Sequence, residues 1–306
     1  MAEGGRGAAP AAVLALVFNA FVWGLSWWPF RELQDRGVHP LWSTALIYLV
    51  SLLVLLAARP GAVRGWGGQP WLWLLAASAG MTNVGFNWAV TIGDVVRVVL
   101  LFYLMPAWSV GLAWLLLGER PHLAGLARVV LALAGVAIVL APQGAGLPWP
   151  RALADWLALA GGFSFALTNV LLRRLHATPA PQRVLAMFGG GTVAAGAVAL
   201  AGLAQGSVAA LPAPEASWLV LGLGLSVAFL AGNLALQYGA SRLAAHTTAL
   251  VMLSEVVFAS LSAVALGAAR LDPQVLAGGA LIVATAAWSA WPSRPTAAGA
   301  GAQSAA

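Results

Sequence analysis

Along this chain the apolar positions fall in long blocks, and the polar ones gather between them. A helix that crosses a bilayer needs roughly 17–25 predominantly apolar residues. Ten blocks reach about that length: 11–30, 41–58, 71–92, 97–118, 123–141, 153–172, 183–204, 217–238, 244–268 and 274–291. Arg, Pro and Gly separate them, at Arg59-Pro60-Gly61, Pro142-Gln143-Gly144, Arg173-Arg174, Pro212-Ala213-Pro214 and Asp272-Pro273. The weakest boundary is 93–97, where only Gly93, Asp94 and Arg97 interrupt the run. The pattern predicts an all-α membrane protein with ten transmembrane helices.

The blocks also repeat. "LMPAWSVGLAWLLLGERPHLAGLARVVLALAGV" (104–136) and "SEVVFASLSAVALGAARLDPQVLAGGALIVATA" (254–286) match in hydropathy, and the next-to-last span of each half ends in Leu-Gly, at Leu117-Gly118 and Leu266-Gly267. Five spans per half is an odd number, so the halves insert with opposite polarity, as two inverted five-helix repeats. The expected organisation is a cytoplasmic tail (1–10), a first half (11–141), a linker (142–152), a second half (153–291) and a disordered cytoplasmic tail (292–306). Residues 11–30 are too long and too rich in Trp for a signal peptide, and are read as a retained first helix.

Composition narrows the class. Of 306 residues 61% are hydrophobic and only 8% are charged, against about 25% charged in a soluble domain. Cysteine is absent, which removes disulfides and thiolate metal sites. All 15 basic residues are Arg, so neither a P-loop lysine nor a Schiff-base lysine exists. The net charge of +6 reflects arginines scattered through loops, and no nucleic-acid partner is expected. With the N-terminus cytoplasmic, Arg6, Arg59, Arg64, Arg120, Arg128, Arg173, Arg174, Arg183, Arg242 and Arg294 lie inside, and Arg31, Arg36, Arg97, Arg151 and Arg270 outside. That bias places both termini in the cytoplasm. Trp66, Trp71, Trp73, Trp149, Trp156, Trp218, Trp288 and Trp291 lie near span ends, as an interfacial belt requires.

Short motifs follow in order: Trp23-Gly24 within "FNAFVWGLSWW", Pro106 in the fourth span, Leu117-Gly118-Glu119-Arg120 at its end, Gly135 in the fifth, and Glu255-Val256-Val257-Phe258-Ala259 in the ninth. In this the chain resembles the drug/metabolite transporter superfamily, EamA type, over almost its whole length. It departs from the family in lacking a proline after Glu255 and in Leu266-Gly267-Ala268 where a second Leu-Gly-Glu is usual. "FYLMPAW" (102–108) is similar to the corresponding stretch of bacterial aromatic amino-acid exporters, with Met105 where those carry Trp. The resemblance implies a secondary transporter of the bacterial inner membrane. By the same resemblance it would export amino acids, aromatic or otherwise neutral, and related metabolites by alternating access, without a cofactor. It further implies that spans one, three, four, six, eight and nine line the cavity.

The polar census agrees. Polar groups in a bilayer are costly unless they face protein or water. They concentrate in the first (Asn19, Trp23), third (Thr82, Asn83, Asn87, Trp88), sixth (Ser164, Thr168, Asn169), eighth (Asn233, Gln237, Tyr238) and ninth spans (His246, Thr247, Thr248, Glu255). Asn83 and Asn87 share a helix face, as do Asn233 and Gln237; cargo contact and interhelical hydrogen bonding both remain open for them. Glu255, the only carboxylate deep in a span, suits a proton carrier, a partner for a substrate ammonium, or a structural hydrogen bond. Tyr103 and Tyr238 suit the polar groups of an amino acid, and Trp23, Phe86, Trp88, Phe163 and Phe165 its side chain. Arg97 either holds a substrate carboxylate or pairs with Asp94. Pro106 should kink its span, and Glu119-Arg120 is either a gate or a helix-end pair. Gly80, Gly85, Gly222, Gly224 and Gly232 are read as close-packing positions.

Two other readings compete with this one. Organic-cation efflux would use Glu255 as the attracting charge. A membrane enzyme would need a cluster of His, Asp, Glu or Lys, but His39, His122, His176 and His246 are dispersed. No metal site, cofactor or nucleotide motif is expected. The expected partners are a small-molecule cargo and lipid, with a monomer sufficient.

Overall fold

The computed structural model describes residues 4–64, 66–118, 123–140, 149–240, 251–252, 254–268 and 272–290. Among these residues the regular structure is helical throughout, in twelve α-helices: α1 (Gly4–Leu25), α2 (Trp27–Asp35), α3 (Pro40–Ala58), α4 (Pro70–Ile92), α5 (Val95–Phe102), α6 (Met105–Leu117), α7 (Leu123–Leu140), α8 (Leu153–Arg174), α9 (Ala180–Ala204), α10 (Ala216–Ala240), α11 (Ser254–Ala265) and α12 (Pro273–Ala290). Among the described residues six segments are long and apolar enough to cross a membrane: Pro10–Asp35, Pro40–Ala58, Val95–Leu117, Leu153–Arg174, Ala180–Ala204 and Ala216–Leu236. α7, α11 and α12 are apolar but shorter over their described residues. α4 has the length, but Ser78, Thr82, Asn83 and Asn87 lower its apolar character. Protein covers it instead, because α8 and α9 pack against it.

Several helix ends follow from single residues. Prolines open α3, α4 and α12, where a missing N–H costs nothing. Gly118 and Gly267 both end their helices at positive φ, 72° and 69°. Neither would meet a neighbour with a Cβ. Glycine is therefore required in both Leu-Gly pairs by conformation rather than by space.

Two expected spans are broken. The first breaks at Ser26, whose hydroxyl donates to the Trp23 carbonyl at 2.7 Å, a local bond that competes with the helical ladder. The expected continuous helix over 97–118 is two helices, divided at Tyr103-Leu104. Residue 106 is proline and has no N–H for the Phe102 carbonyl. The turn tightens instead: Leu104 N donates to Leu101 O at 3.2 Å and Ala107 N to Leu104 O at 2.9 Å. The freed Phe102 oxygen is met by Gly162, where a Cβ would lie 2.5 Å away. A break on one helix is thus matched by a glycine on another.

The contacts between the two parts of the chain come in exchangeable pairs. α4 packs on α8 as α10 packs on α1; α4 on α9 as α10 on α3; α5 and α6 on α8 as α11 on α1. α3 meets α9, α5 meets α11 and α7 meets α12. Glycines seat several of these contacts. A Cβ on Gly85 would fall 2.7 Å from the Leu157 carbonyl, one on Gly24 2.9 Å from the Glu255 carbonyl, and one on Gly135 2.7 Å from Ile282. Gly80 behaves likewise against Gly190 and Ala194. Gly222 and Gly224 do not, since no described atom lies near them; their expected packing role is not seen.

α5 is buried along its whole length, from Val95 to Phe102 apart from part of Arg97, among α4, α7, α8 and α11. It forms the centre of the largest apolar cluster with Trp27, Ala158, Val256, Ala259 and Ile282.

Candidate functional site

The broken helix places Tyr103 at the middle of the bundle, wholly buried. Its hydroxyl donates to Glu255 Oε2 at 3.1 Å and also lies 3.3 Å from the Met252 carbonyl. Glu255 lies in the first turn of α11 and is itself buried. On the far side of Met252, the Asn19 amide of α1 donates Nδ2 to Met252 Sδ at 3.5 Å. Asn19 Oδ1 is buried without a hydrogen-bond partner among the described residues, and so is Asn87 Oδ1. Asn87 Nδ2 donates to Thr44 Oγ1 on α3 at 3.2 Å. Unpaired buried acceptors are costly and uncommon, and each asks for an explanation.

A connected series of rings runs beside these groups. Trp23 meets Phe229 at 4.5 Å and Phe86 at 5.9 Å; Phe86 meets Phe102 at 4.8 Å; Phe102 meets Phe165 at 5.5 Å and Tyr103 at 6.3 Å. Tyr48 extends the series from Phe229 to Phe188. These rings come from α1, α3, α4, α5, α8, α9 and α10, so the series links both parts of the chain.

Of the residues expected at the site, Asn19, Trp23, Asn87, Tyr103 and Glu255 stand on this polar and aromatic zone, with Phe86 and Phe165. Asn83 is near but spoken for: it accepts from the Tyr48 hydroxyl and donates Nδ2 to Ala79 O at 2.7 Å. Ser164 is buried on α8. Trp88 lies at the end of α4 against His39, ring centroids 5.3 Å apart. Phe163 is 39% exposed and pairs with the exposed Trp108, and Asn169 and Tyr238 are exposed too. These three stand apart from the buried series. Pro106 is the second residue of α6. His246, Glu119 and Arg120, with Thr247 and Thr248, lie outside the described residues.

Arg97 differs from both expectations. Its guanidinium makes a two-pronged ion pair with Asp155, Nε to Oδ1 at 2.8 Å and Nη2 to Oδ2 at 3.1 Å, and donates Nη1 to the Val139 carbonyl at 2.8 Å. Asp94 instead caps α5, accepting from the Arg97 backbone N–H. Arg31 similarly donates to the carbonyls of Val90 and Gly93 at the end of α4. Trp27 Nε1 adds a bond to Ser262 Oγ at 2.9 Å. The end of the bundle bearing Arg31, Arg97, Asp155 and Ser262 is thus tied across six helices. Nearby, His39 caps α3 through Nδ1, which accepts from Leu41 N–H at 3.2 Å. Its partial burial lowers its pKa from the ordinary 6.5.

The sequence pattern missed Phe102, Phe229, Tyr48, Met252 and Asp155. The first four are apolar or aromatic residues inside apolar blocks, without a local signal. Asp155 carried one, as a lone acid at the start of a span.

No group of three or more His, Cys, Asp or Glu side chains suited to a metal occurs among the described residues. No curated protein matches the chain. One solved crystal structure resembles it with a TM-score of 0.56 at 22% identity, covering 91% of this chain and 96% of the other, which is a likeness of fold. Residues 10–141, from α1 to the end of α7, match the model of the EamA-like transporter family within the drug/metabolite transporter superfamily.

Proposed function

We propose that this chain is a secondary transporter that moves small amphiphilic solutes across a membrane by alternating access. Amino acids are the intended cargo, aromatic ones first, and export from a bacterial cytoplasm is the direction. Its ten spans form two inverted five-helix halves, 11–141 and 153–291, with both termini cytoplasmic. The observation that carries the reading is the zone of buried Asn19, Phe86, Tyr103 and Glu255 with the partly buried Trp23, lying where contacts between the two halves exchange in pairs. Inverted repeats characteristically hold their site at such an interface, near the bilayer midplane. A greasy, ring-lined surface with a few convergent polar groups suits a solute that is polar at one end.

Asn83, Asn87, Trp88, Phe163, Ser164, Asn169, Tyr238 and His246 complete the proposed set of cargo contacts, some of them engaged in a conformation other than this one. Pro106 is the proposed hinge, and Glu119 with Arg120 the proposed gate. The resemblance of the stretch 102–108 to that of bacterial aromatic amino-acid exporters supports the choice of cargo. Multidrug or organic-cation efflux is the second reading, favoured by the buried Glu255 carboxylate.

The test is uptake of labelled amino acids into proteoliposomes, with and without a pH gradient. Flux of phenylalanine, tryptophan or leucine is expected. Flux of quaternary ammonium compounds alone would select the second reading, and no flux of either would refute transport of both classes.

A further inference from the structure

We propose that Asn19 and Glu255 form a binding site for an alkylammonium group, whose apolar remainder lies along Trp23. This rests on the transport reading and specifies which end of the cargo goes where.

The unused capacity at this corner is mainly that of acceptors. Asn19 is wholly buried, its Nδ2 is committed to a weak sulfur acceptor, and its Oδ1 has no donor among the described residues. Glu255 brings a buried carboxylate, which accepts a bond from Tyr103. The ion pairs among the described residues are Arg36–Glu32 and Arg97–Asp155, so neither involves Glu255. Asn19 and Glu255 flank one residue, Met252: its sulfur meets the first, and its carbonyl meets the tyrosine that holds the second. An acceptor amide and a carboxylate call for a ligand rich in donors and positive in charge. A carboxylate or phosphate ligand would face the Glu255 carboxylate, the one acidic side chain of the corner. Trp23 stands one helical turn beyond Asn19, on the same face of α1. Its ring, flanked by Phe86 and Phe229, offers a cation–π surface to the charge and apolar area to a side chain. Gly24 lets α11 approach α1, since a Cβ there would lie 2.7 Å from Phe258 Cβ.

The experiment is calorimetric titration of the purified full chain with three ligands of one shape: phenethylamine, 2-phenylethanol and 3-phenylpropionate, with sodium chloride as a further arm. Phenethylamine is expected to bind, 2-phenylethanol at least about tenfold more weakly, and 3-phenylpropionate not at all, because loss of a charge-assisted bond costs about that factor. Glu255→Gln keeps an acceptor for Tyr103 and should weaken phenethylamine about tenfold or more while leaving 2-phenylethanol unchanged. Asn19→Val should weaken phenethylamine in the same sense. The wild-type ranking needs no variant to fold. Equal affinity for amine and alcohol, binding of 3-phenylpropionate, an unaltered Glu255→Gln protein, a response to sodium alone, or no binding by any ligand would each overturn the assignment. Phenylalanine flux that survives Glu255→Gln would sink this inference and leave transport standing. Ammonium-selective binding without flux of any solute would do the reverse.

Discussion

Three consecutive glycines on α9 make opposite demands, and they offer a test of the packing without reference to transport. A Cβ on Gly190 would lie 2.6 Å from the Ala76 carbonyl carbon and 2.8 Å from its Cα, while one on Gly189 would meet no described atom. Carbon atoms rest at about 3.5–4.0 Å. Gly190→Ala therefore forces α9 and α4 apart by about an ångström, against backbone that cannot rotate away. Overpacking of this kind costs about 1–3 kcal/mol. At Gly189 the same substitution removes only glycine's helix penalty, worth up to about 1 kcal/mol in favour of alanine. The two neighbours should then differ by about 1–4 kcal/mol, with Gly189→Ala neutral or stabilising. Gly191→Ala should follow Gly190, since its Cβ would press 2.5 Å from the Tyr48 ring. The assay is reversible unfolding in detergent, followed by tryptophan fluorescence. Equal effects at 189 and 190 would refute the reasoning.

Other outcomes follow from the same geometry. Asp155→Asn and Arg97→Gln should each destabilise by up to about 3 kcal/mol, discounted from the fully buried case because Arg97 is partly exposed; the double variant should cost less than the sum, as read by a double-mutant cycle in the unfolding assay. His39 has a folded pKa below its unfolded value, so its contribution is fully present above pH 6.5 and is lost as pH falls through the lower folded value. His39→Asn, which keeps a capping acceptor without titrating, should flatten that part of the stability–pH curve. Pro106→Ala restores a donor for the Phe102 carbonyl and, if the break moves during transport, should slow amino-acid flux in proteoliposomes; an undiminished rate would remove the hinge.

Much of this architecture was written locally, and what was not depended on distance. Helix limits were legible because Pro40, Pro70, Gly93 and Pro273 act on their own neighbours. The Leu-Gly ends were legible as a repeat, and their left-handed glycines supply the reason. Trp23-Gly24 was visible as a motif, but its meaning lies in α11, more than two hundred residues away. The Arg97 partner was misplaced for the same reason: Asp94 is one turn away in sequence, but the guanidinium reaches Asp155. In this conformation Phe163 stands exposed with Trp108, a facing that an aromatic residue in an apolar block does not reveal. Phe229 was missed by the same rule in reverse.

The chain has no cysteine, so a single introduced thiol reports on one position without background. The decisive measurement is the reaction of Trp23→Cys with a water-soluble thiosulfonate in proteoliposomes, with and without phenylalanine. A thiol at the head of the ring series should react from the aqueous phase, and phenylalanine should slow that reaction. A thiol that stays inert from both sides, or reacts at a rate no amine-bearing solute alters, would contradict a hydrated cargo site between the two halves.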